Sequence, residues 1–313
     1  MEETRTVVVS LGHRALGRTL PEQKTATRAA AKSIADLVEM GCRVVVNHGN
    51  APQMGMIHTA MNELAANYEE YTNCPMSVCA AMSQGYIGYD LQNSIRSELR
   101  ARGLRVPVST ILTQVLVDPY DRAFIRPSRV VGRVLSRDEA NVEEAKGNYV
   151  VSVDGGYRRI VAAPVPREIV EIETIRTLSE AGQVVIACGG GGIPVMEQGF
   201  DLRGASAIVD KDLAAGLLAI ELDADVLMIL TSTDGAVLTE GPEPDRILRR
   251  ISVRQARSYQ KAGRFEMASM PRKFEASINF VEMGRGRRAV ITTIGRAAAG
   301  YEGRTGTQIV NEL

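Results

Sequence analysis

The chain has 313 residues, of which 45% are hydrophobic, and its 37 basic and 37 acidic side chains give a formal net charge of zero. This length suits one large α/β domain or two smaller ones, with a sizeable core. The balanced charge excludes the broad basic surface of most nucleic-acid-binding proteins, so we expect no nucleic-acid partner. No basic segment followed by an apolar one opens the chain, and no apolar run reaches transmembrane length. We therefore expect a cytoplasmic protein without a membrane partner.

Several well-known site patterns are missing from the sequence. The four cysteines, at positions 42, 74, 79 and 188, lack the spacing of a zinc site, and reduced thiols are the simplest interpretation. No HExxH motif, no Ser-His-Asp set and no GxxxxGK[ST] phosphate loop is apparent. We therefore predict no metal ligands from the protein itself and exclude an ordinary P-loop enzyme.

Strand-like and helix-like segments alternate along most of the chain. Apolar, β-branched runs predict buried strands at residues 6–10, 43–47, 107–117, 183–187, 225–231 and 288–292. Apolar residues at helical spacing predict helices at residues 21–40, 54–67, 76–102, 168–181, 210–222 and 265–283, the first of them ended by Gly41. This alternation predicts an α/β fold with a parallel sheet covered by helices on both faces.

Residues 118–166 differ in character from the rest of the chain. Tyr, Pro, Arg and Gly are frequent there, and short β-like pieces at 149–153 and 159–162 replace the long helices. The composition predicts an inserted hairpin-rich subdomain or lid.

The loops that follow the predicted strands should carry the chemistry, because ligands bind at the carboxyl ends of the strands in such sheets. One of these loops contains four consecutive glycines, Gly189 to Gly192, directly after a predicted strand. A backbone without side chains can turn its N–H groups toward an anion such as a phosphate. Taken alone, the run is equally compatible with a flexible turn.

The triplet Asp210-Lys211-Asp212 lies where the sequence enters a helix, and Lys273 lies near the front of the last long helix. A carboxylate beside a lysine can fix the ammonium and keep it charged, and a helix N-terminus attracts anions. A solvated charge cluster is the alternative for any isolated triplet of this kind.

Taken together, these segments resemble the carbamate kinases of the amino acid kinase superfamily. Order and spacing match from about Val7 to the C-terminus. The matching stretches are residues 16–19, 48–53, 157–159, 169–171, 187–194, 210–214, 230–231, 234–235, 269–270, 273 and 289–292.

The resemblance implies a single domain over residues 1–313, an open three-layer αβα sandwich with a mostly parallel eight-stranded sheet and a protruding subdomain at residues 118–166. It implies a homodimer that transfers a phosphoryl group between carbamoyl phosphate and ADP, giving ATP and carbamate, with Mg²⁺. Arginine metabolism is one pathway compatible with such an activity.

The resemblance also implies roles for individual residues. Lys211 and Lys273 would neutralise the transferring phosphate, and Asp210 would orient them. The implied phosphate and substrate contacts are Gly12, Gly49, Asn50, Gly189, Gly190, Gly191 and Gly192. The implied nucleotide contacts are Thr231, Ser232, Asp234, Ser269 and Met270.

The sequence departs from the family pattern at several of these positions. The first loop normally reads Gly-Gly-Asn, and here it is Gly12-His13-Arg14; Arg129 replaces a substrate-side lysine. His13, Arg14 and Arg129 are therefore further candidates for substrate contact, and the guanidinium groups of the two arginines suit carboxylate and phosphate oxygens. Two alternatives follow: a kinase or carbamoyl-transfer enzyme for a carbamate-like acid, or a catalytically impaired homologue that binds a nucleotide or metabolite.

Overall fold

The computed structural model describes residues 4–12, 16–239, 247–263, 265, 267 and 269–312. The predicted contacts His13 and Arg14 lie outside the described residues. The strands are β1 (Thr6–Leu11), β2 (Arg43–His48), β3 (Val108–Thr110), β4 (Gln114–Val117), β5 (Arg129–Leu135), β6 (Tyr149–Val153), β7 (Gly156–Val161), β8 (Pro166–Ile169), β9 (Val184–Ile186), β10 (Ile193–Gln198), β11 (Asp201–Gly204), β12 (Val226–Thr231), β13 (Arg250–Ser252), β14 (Arg288–Thr293) and β15 (Thr307–Val310).

The helices are α1 (Leu20–Glu39), α2 (Ala51–Asn67), α3 (Met76–Ala101), α4 (Arg122–Ile125), α5 (Arg137–Ala145), α6 (Ile172–Glu180), α7 (Lys211–Glu221), α8 (Val253–Ala262), α9 (Met270–Glu282) and α10 (Ala297–Tyr301). Among the described residues, no helix combines the length and the apolar character needed to cross a membrane.

Eight strands form the central sheet, in the order β13-β15-β14-β12-β1-β2-β9-β3. Neighbouring strands run parallel, except that β14 and β15 are antiparallel. The predicted mostly parallel eight-stranded sheet is therefore confirmed. Its central strand β1 is an apolar, β-branched run, and Val7, Val8, Val9 and Leu11 are fully buried, as expected for a strand covered on both faces.

The two faces of β1 pack against different helices, because successive side chains of a strand point to opposite sides. Val7 and Val9 lie in one core cluster with residues of α1 and α3. Val8 lies in the other, with residues of α7 and α9. This arrangement is the predicted three-layer αβα sandwich.

Some predicted elements differ from the observed ones. Residues 107–117 form two strands, β3 and β4, which belong to different sheets. Residues 168–181 begin as the end of strand β8 and become helical only at Ile172. The last long helix starts at Met270, with Pro271 in its first turn, and not at residue 265. The hairpin β10–β11, helices α8 and α10, the edge strand β13 and its neighbour β15 were not predicted.

Residues 118–166 contain α4, β5, α5, β6 and β7 and end at the first residue of β8. Strands β5, β7 and β6 form a separate antiparallel sheet, in that order. Strand β5 contacts α2. The lid, as we call residues 118–166, thereby lies beside the loops at the carboxyl ends of β1 and β2.

Candidate active site

A cleft of about 1170 Å³ lies at the carboxyl ends of the central strands, with the lid along one side. Eleven of the sequence-predicted residues line it, which places most of the separate loops in one site. They are Gly12, Gly49, Asn50, Arg129, Gly190, Asp210, Lys211, Thr231, Ser232, Ser269 and Lys273.

Two lysines meet at a single carboxylate in this cleft. Lys211 Nζ donates to Asp212 Oδ1 at 2.6 Å, and Lys273 Nζ donates to Asp212 Oδ2 at 2.7 Å. Asp212 and Lys273 are each only 4% exposed. Each oxygen of the Asp212 carboxylate thus accepts from one ammonium group. This single side chain therefore sets the separation between the two ammonium groups.

Asp212, and not Asp210, makes these contacts. Asp210 is the N-cap of α7, and its Oδ1 accepts from the backbone N–H of Asp212 at 2.9 Å. Its other oxygen lies 3.9 Å from the Arg129 guanidinium of the lid. The hydrogen bonds to both lysines therefore come from the aspartate two residues after the predicted one, on the first turn of the helix.

The protonation of this trio follows from burial and charge. Burial alone would raise the pKa of Asp212, but the ammonium groups of Lys211 and Lys273 hold it well below its usual range. Burial lowers the pKa of Lys211, and Asp212 opposes that effect. The carboxylate is therefore charged throughout the physiological range, and the trio carries a net positive charge toward the cleft when both lysines are protonated.

Sequence reasoning missed one partner of this trio. Ser10, near the end of β1, is fully buried, and its Oγ accepts from Lys211 Nζ at 2.8 Å. The same oxygen lies 3.2 Å from Asp212 Oδ1 and 3.3 Å from Asn47 Oδ1. A signal was present in the sequence, because a serine interrupts an apolar strand that is otherwise buried on both faces.

The four-glycine turn needs glycine for steric reasons. Gly190, Gly191 and Gly192 have φ values of +71°, +97° and +88°, which favour glycine. A Cβ on Gly190 would lie 2.0 Å from Asn50 Nδ2, and one on Gly191 would lie 2.3 Å from the Val209 carbonyl oxygen. Only Gly190 of the four lines the cleft; Gly189, Gly191 and Gly192 lie behind it and shape the turn.

Buried polar side chains hold this turn from below. Gln84 of α3 donates to the carbonyl oxygens of Gly189 at 3.0 Å and Thr113 at 3.1 Å, and it accepts from the Thr113 N–H at 2.8 Å. Thr113 Oγ1 accepts from the Cys188 N–H, and its carbonyl oxygen accepts from the Ile193 N–H. The loop between β3 and β4 and helix α3 therefore fix both ends of the turn.

His48, at the end of β2, packs directly beneath the turn. A Cβ on Gly189 would lie 2.4 Å from His48 Nε2. The imidazole Nδ1 donates to the Gly49 carbonyl oxygen at 3.1 Å, and Nε2 has no hydrogen-bond partner among the described residues. Burial lowers the pKa of His48 to about 4, so the ring is neutral at physiological pH.

Two of the predicted nucleotide contacts do not line the cleft. Met270 is 1% exposed and belongs to the core cluster under α9. Asp234 accepts from Thr292 Oγ1, Thr305 Oγ1 and Arg296 Nη1, which anchors its loop to the neighbouring strand β14 and the segment after it. Thr231, Ser232 and Ser269 do line the cleft and leave a polar rim on that side.

Comparisons with known proteins point to one family. The model of the amino acid kinase family matches residues 5–293. A carbamate kinase-like protein of Escherichia coli is 45% identical over 308 residues, covering 98% of this chain and 99% of that protein. A carbamate kinase of Pyrococcus horikoshii is 42% identical over 310 residues, covering 97% and 98%. The structure of Giardia lamblia carbamate kinase bound to AMP-PNP matches with a TM-score of 0.92 at 34% identity, covering 99% of each chain.

Proposed function

This chain belongs to the amino acid kinase family, among the carbamate kinases and their close relatives, and from that premise we propose that it transfers a phosphoryl group reversibly between ATP and carbamate. The observation that carries the proposal is the trio in which Asp212 holds Lys211 and Lys273 at 2.6 and 2.7 Å within the cleft that Gly190 lines. Two fixed ammonium groups beside a bare backbone suit a phosphate in transfer.

The reaction needs charge neutralisation more than proton transfer. A carbamate oxygen attacks the γ-phosphorus of ATP while the bond to the β–γ bridging oxygen breaks, and ADP leaves with that electron pair. Because the attacking oxygen is already anionic, no strong general base is required, and catalysis rests on alignment and electrostatics. Lys211 and Lys273 would stabilise the negative charge on the phosphoryl oxygens and on the bridging oxygen.

The nucleotide and its metal come as one substrate in this proposal. The described residues contain no group of three or more His, Cys, Asp or Glu side chains able to hold a metal ion. Mg²⁺, which commonly keeps several waters and binds substrate phosphates, would therefore be carried by the phosphates of ATP or ADP. Thr231, Ser232 and Ser269 would face the nucleotide from the polar rim.

The lid would supply the acid-binding side of the cleft. Arg129 lines the cleft with its side chain 46% exposed, and Arg158 also lines it and donates to the Gly132 carbonyl oxygen at 2.7 Å. Guanidinium groups at this position suit carboxylate oxygens. A larger or more anionic relative of carbamate is the second candidate acceptor, favoured by Arg129 where the family pattern has lysine.

The decisive experiment follows ATP made from ADP, Mg²⁺ and carbamoyl phosphate by the purified protein. We expect ATP formation at ordinary enzyme rates, a loss of at least about a hundredfold in Lys211→Ala, and no loss in Lys32→Ala. Lys32 is a suitable control because it is an exposed lysine of α1.

ATP formation only with another carbamoyl or acyl phosphate would favour the second acceptor. ATP binding without turnover would favour an impaired binding homologue, and no nucleotide binding would overturn the kinase proposal.

We further propose a homodimer formed through α3. Val78, Met82 and Tyr89 are 46%, 43% and 70% exposed and, with Gly85, recur at helical spacing along one face of this helix. An apolar stripe at a spacing of four, three and four residues is typical of a helix face that packs against another surface.

We also propose that the chain forms one domain with the lid inserted at residues 118–166. We propose a cytoplasmic location as well, which the four free cysteines support.

A further inference from the structure

Ser10 occupies a position where the fold would favour an apolar side chain. It lies on central strand β1, on the same face as Val8, which packs in the cluster with α7 and α9. Placing a hydroxyl in such an interior is unfavourable unless the hydroxyl is hydrogen-bonded. The presence of a serine at this position is therefore explained by its hydrogen-bond partners and not by packing.

The partners of Ser10 are the groups that would perform the chemistry. Its Oγ accepts from Lys211 Nζ at 2.8 Å and lies 3.2 Å from Asp212 Oδ1. Lys211 therefore has two acceptors, whereas Lys273 has Asp212 alone within the described part of the chain. An ammonium group has three donors, so Lys211 keeps one N–H for a phosphate oxygen and Lys273 keeps two.

Ser10 also connects the lysine pair to the glycine turn. Its Oγ lies 3.3 Å from Asn47 Oδ1, and Asn47 Nδ2 donates to the Cys188 carbonyl oxygen at 2.6 Å. The hydroxyl and the amide thus form a buried bridge from the cation side of the site to the start of the turn. Ser10 and Asn47 lie at paired positions on neighbouring strands, which places the hydroxyl and the amide side by side.

We propose, on the basis of the phosphotransferase function above, that Ser10 is a positioning residue that fixes the Lys211 ammonium beside Asp212 and keeps it charged for the transferring phosphate. A hydrogen bond to the charged form of a group favours that form. The charged and titratable groups that face Lys211 are Asp212 and Asp210 on its own segment, Lys273 from α9 and the neutral His48 from β2. Burial already lowers the pKa of Lys211, so losing the hydroxyl should lower it further.

Three variants test the proposal. Ser10→Ala removes the hydroxyl, and Ser10→Cys keeps a side chain of similar size but offers only a weak acceptor. Ser33→Ala is the matched control, because Ser33 is 1% exposed and accepts from the Gly295 N–H at 2.9 Å outside the cleft. We expect about a tenfold loss in kcat for both Ser10 variants, a KM for ADP within about twofold, and an alkaline limb of kcat about half a pH unit lower. Ser33→Ala should change only the unfolding midpoint.

A second readout does not depend on turnover. The chain has only six lysines, so the Lys211 side chain can be assigned by NMR and titrated directly in the wild type and in Ser10→Ala. A lower Lys211 pKa in the variant supports the proposal, and an unchanged pKa overturns it. Wild-type kcat in both Ser10 variants, or full activity in Ser10→Cys alone, also overturns it. A wild type without ATP formation refutes the proposed function, while the NMR titration still decides the role of Ser10.

Discussion

Asp212 is the residue on which the two ammonium groups depend. Asparagine in its place would keep one oxygen and present an NH₂ group to the other lysine, leaving a buried cation without a partner. We expect Asp212→Asn to lower kcat for ATP formation by about a hundredfold. The measurement is steady-state kinetics with carbamoyl phosphate and ADP.

Asp210→Asn is the matched comparison for that variant, two residues away. Asparagine caps a helix as well as aspartate does, so α7 should keep its start and the loss in kcat should be at least about tenfold smaller. Equal losses in the two variants would show that Asp210 contributes directly, as the family resemblance implied. The sequence does carry a signal for the cap, since an aspartate precedes an Ala- and Leu-rich run. Because a capping carboxylate is hydrogen-bonded to the backbone, this signal favours Asp212 as the partner of the lysines.

His48 gives the stability of the protein a dependence on pH. The unfolded chain binds a proton here as the pH falls through about 6.5, whereas burial holds the pKa of the folded residue at about 4. The unfolded state therefore gains protons first, and the free energy of unfolding decreases by about 2 kcal/mol between pH 6.5 and 5 from this group. Urea unfolding at pH 7 and pH 5 should show a smaller decrease in His48→Gln than in the wild type. Identical decreases would mean that His48 is hydrated or already charged in the folded state.

At the scale of elements, the glycine turn is the segment whose backbone matters most. Gly190→Ala would place a Cβ 2.0 Å from Asn50 Nδ2, in addition to the strain of φ +71°. We expect it to lower kcat/KM for carbamoyl phosphate by about a hundredfold, because the turn must shift away from the cleft. Steady-state kinetics and a thermal unfolding curve would be measured on the same preparation.

Gly41→Ala separates backbone strain from the loss of space. Gly41 has a similar φ of +82°, but a Cβ there would meet nothing within 4 Å. It should lose about 1 kcal/mol of stability from the left-handed backbone and keep its activity. If Gly190→Ala behaved like Gly41→Ala, the close contact with Asn50 would not define the turn.

The elements themselves were predictable where local pattern and tertiary environment agree. The buried parallel strands β1, β2 and β12 were predicted at nearly their observed bounds, because both faces are covered and each strand contains an unbroken run of at least three apolar residues. Residues 107–117 are rich in β-branched side chains, and nothing local marks the break between β3 and β4. The break is marked by long-range hydrogen bonds, in which Gln84 of α3 accepts from the N–H of Thr113 and donates to its carbonyl oxygen, between the two strands.

At the scale of the whole molecule, the cleft exists because loops from distant parts of the chain end at one edge of one sheet. Ser10 and Lys211 are 201 residues apart, yet they share a hydrogen bond of 2.8 Å. The sequence predicted which loops converge, since parallel strands align their carboxyl ends. It did not predict which side chain points at which partner, because that depends on register: Ser10 lies opposite Asn47 on β2 and opposite Ile229 on β12.

The proposed dimer is a property of the whole molecule and can be tested by its mass in solution. Tyr89 is 70% exposed at the end of the apolar stripe on α3. A stable interface buries about 800 Å² from each partner, and charges are depleted at its centre. We therefore expect the wild type to sediment with twice the 33.9 kDa mass of one chain, and Tyr89→Glu to sediment as a monomer or a weakened dimer.

Ile125→Glu is the control, because Ile125 is an equally exposed apolar residue, at 76%, on the lid and away from the stripe. It should leave the dimer intact. A wild-type monomer, or a loss of the dimer in both variants, would contradict the assignment of this face to a second copy.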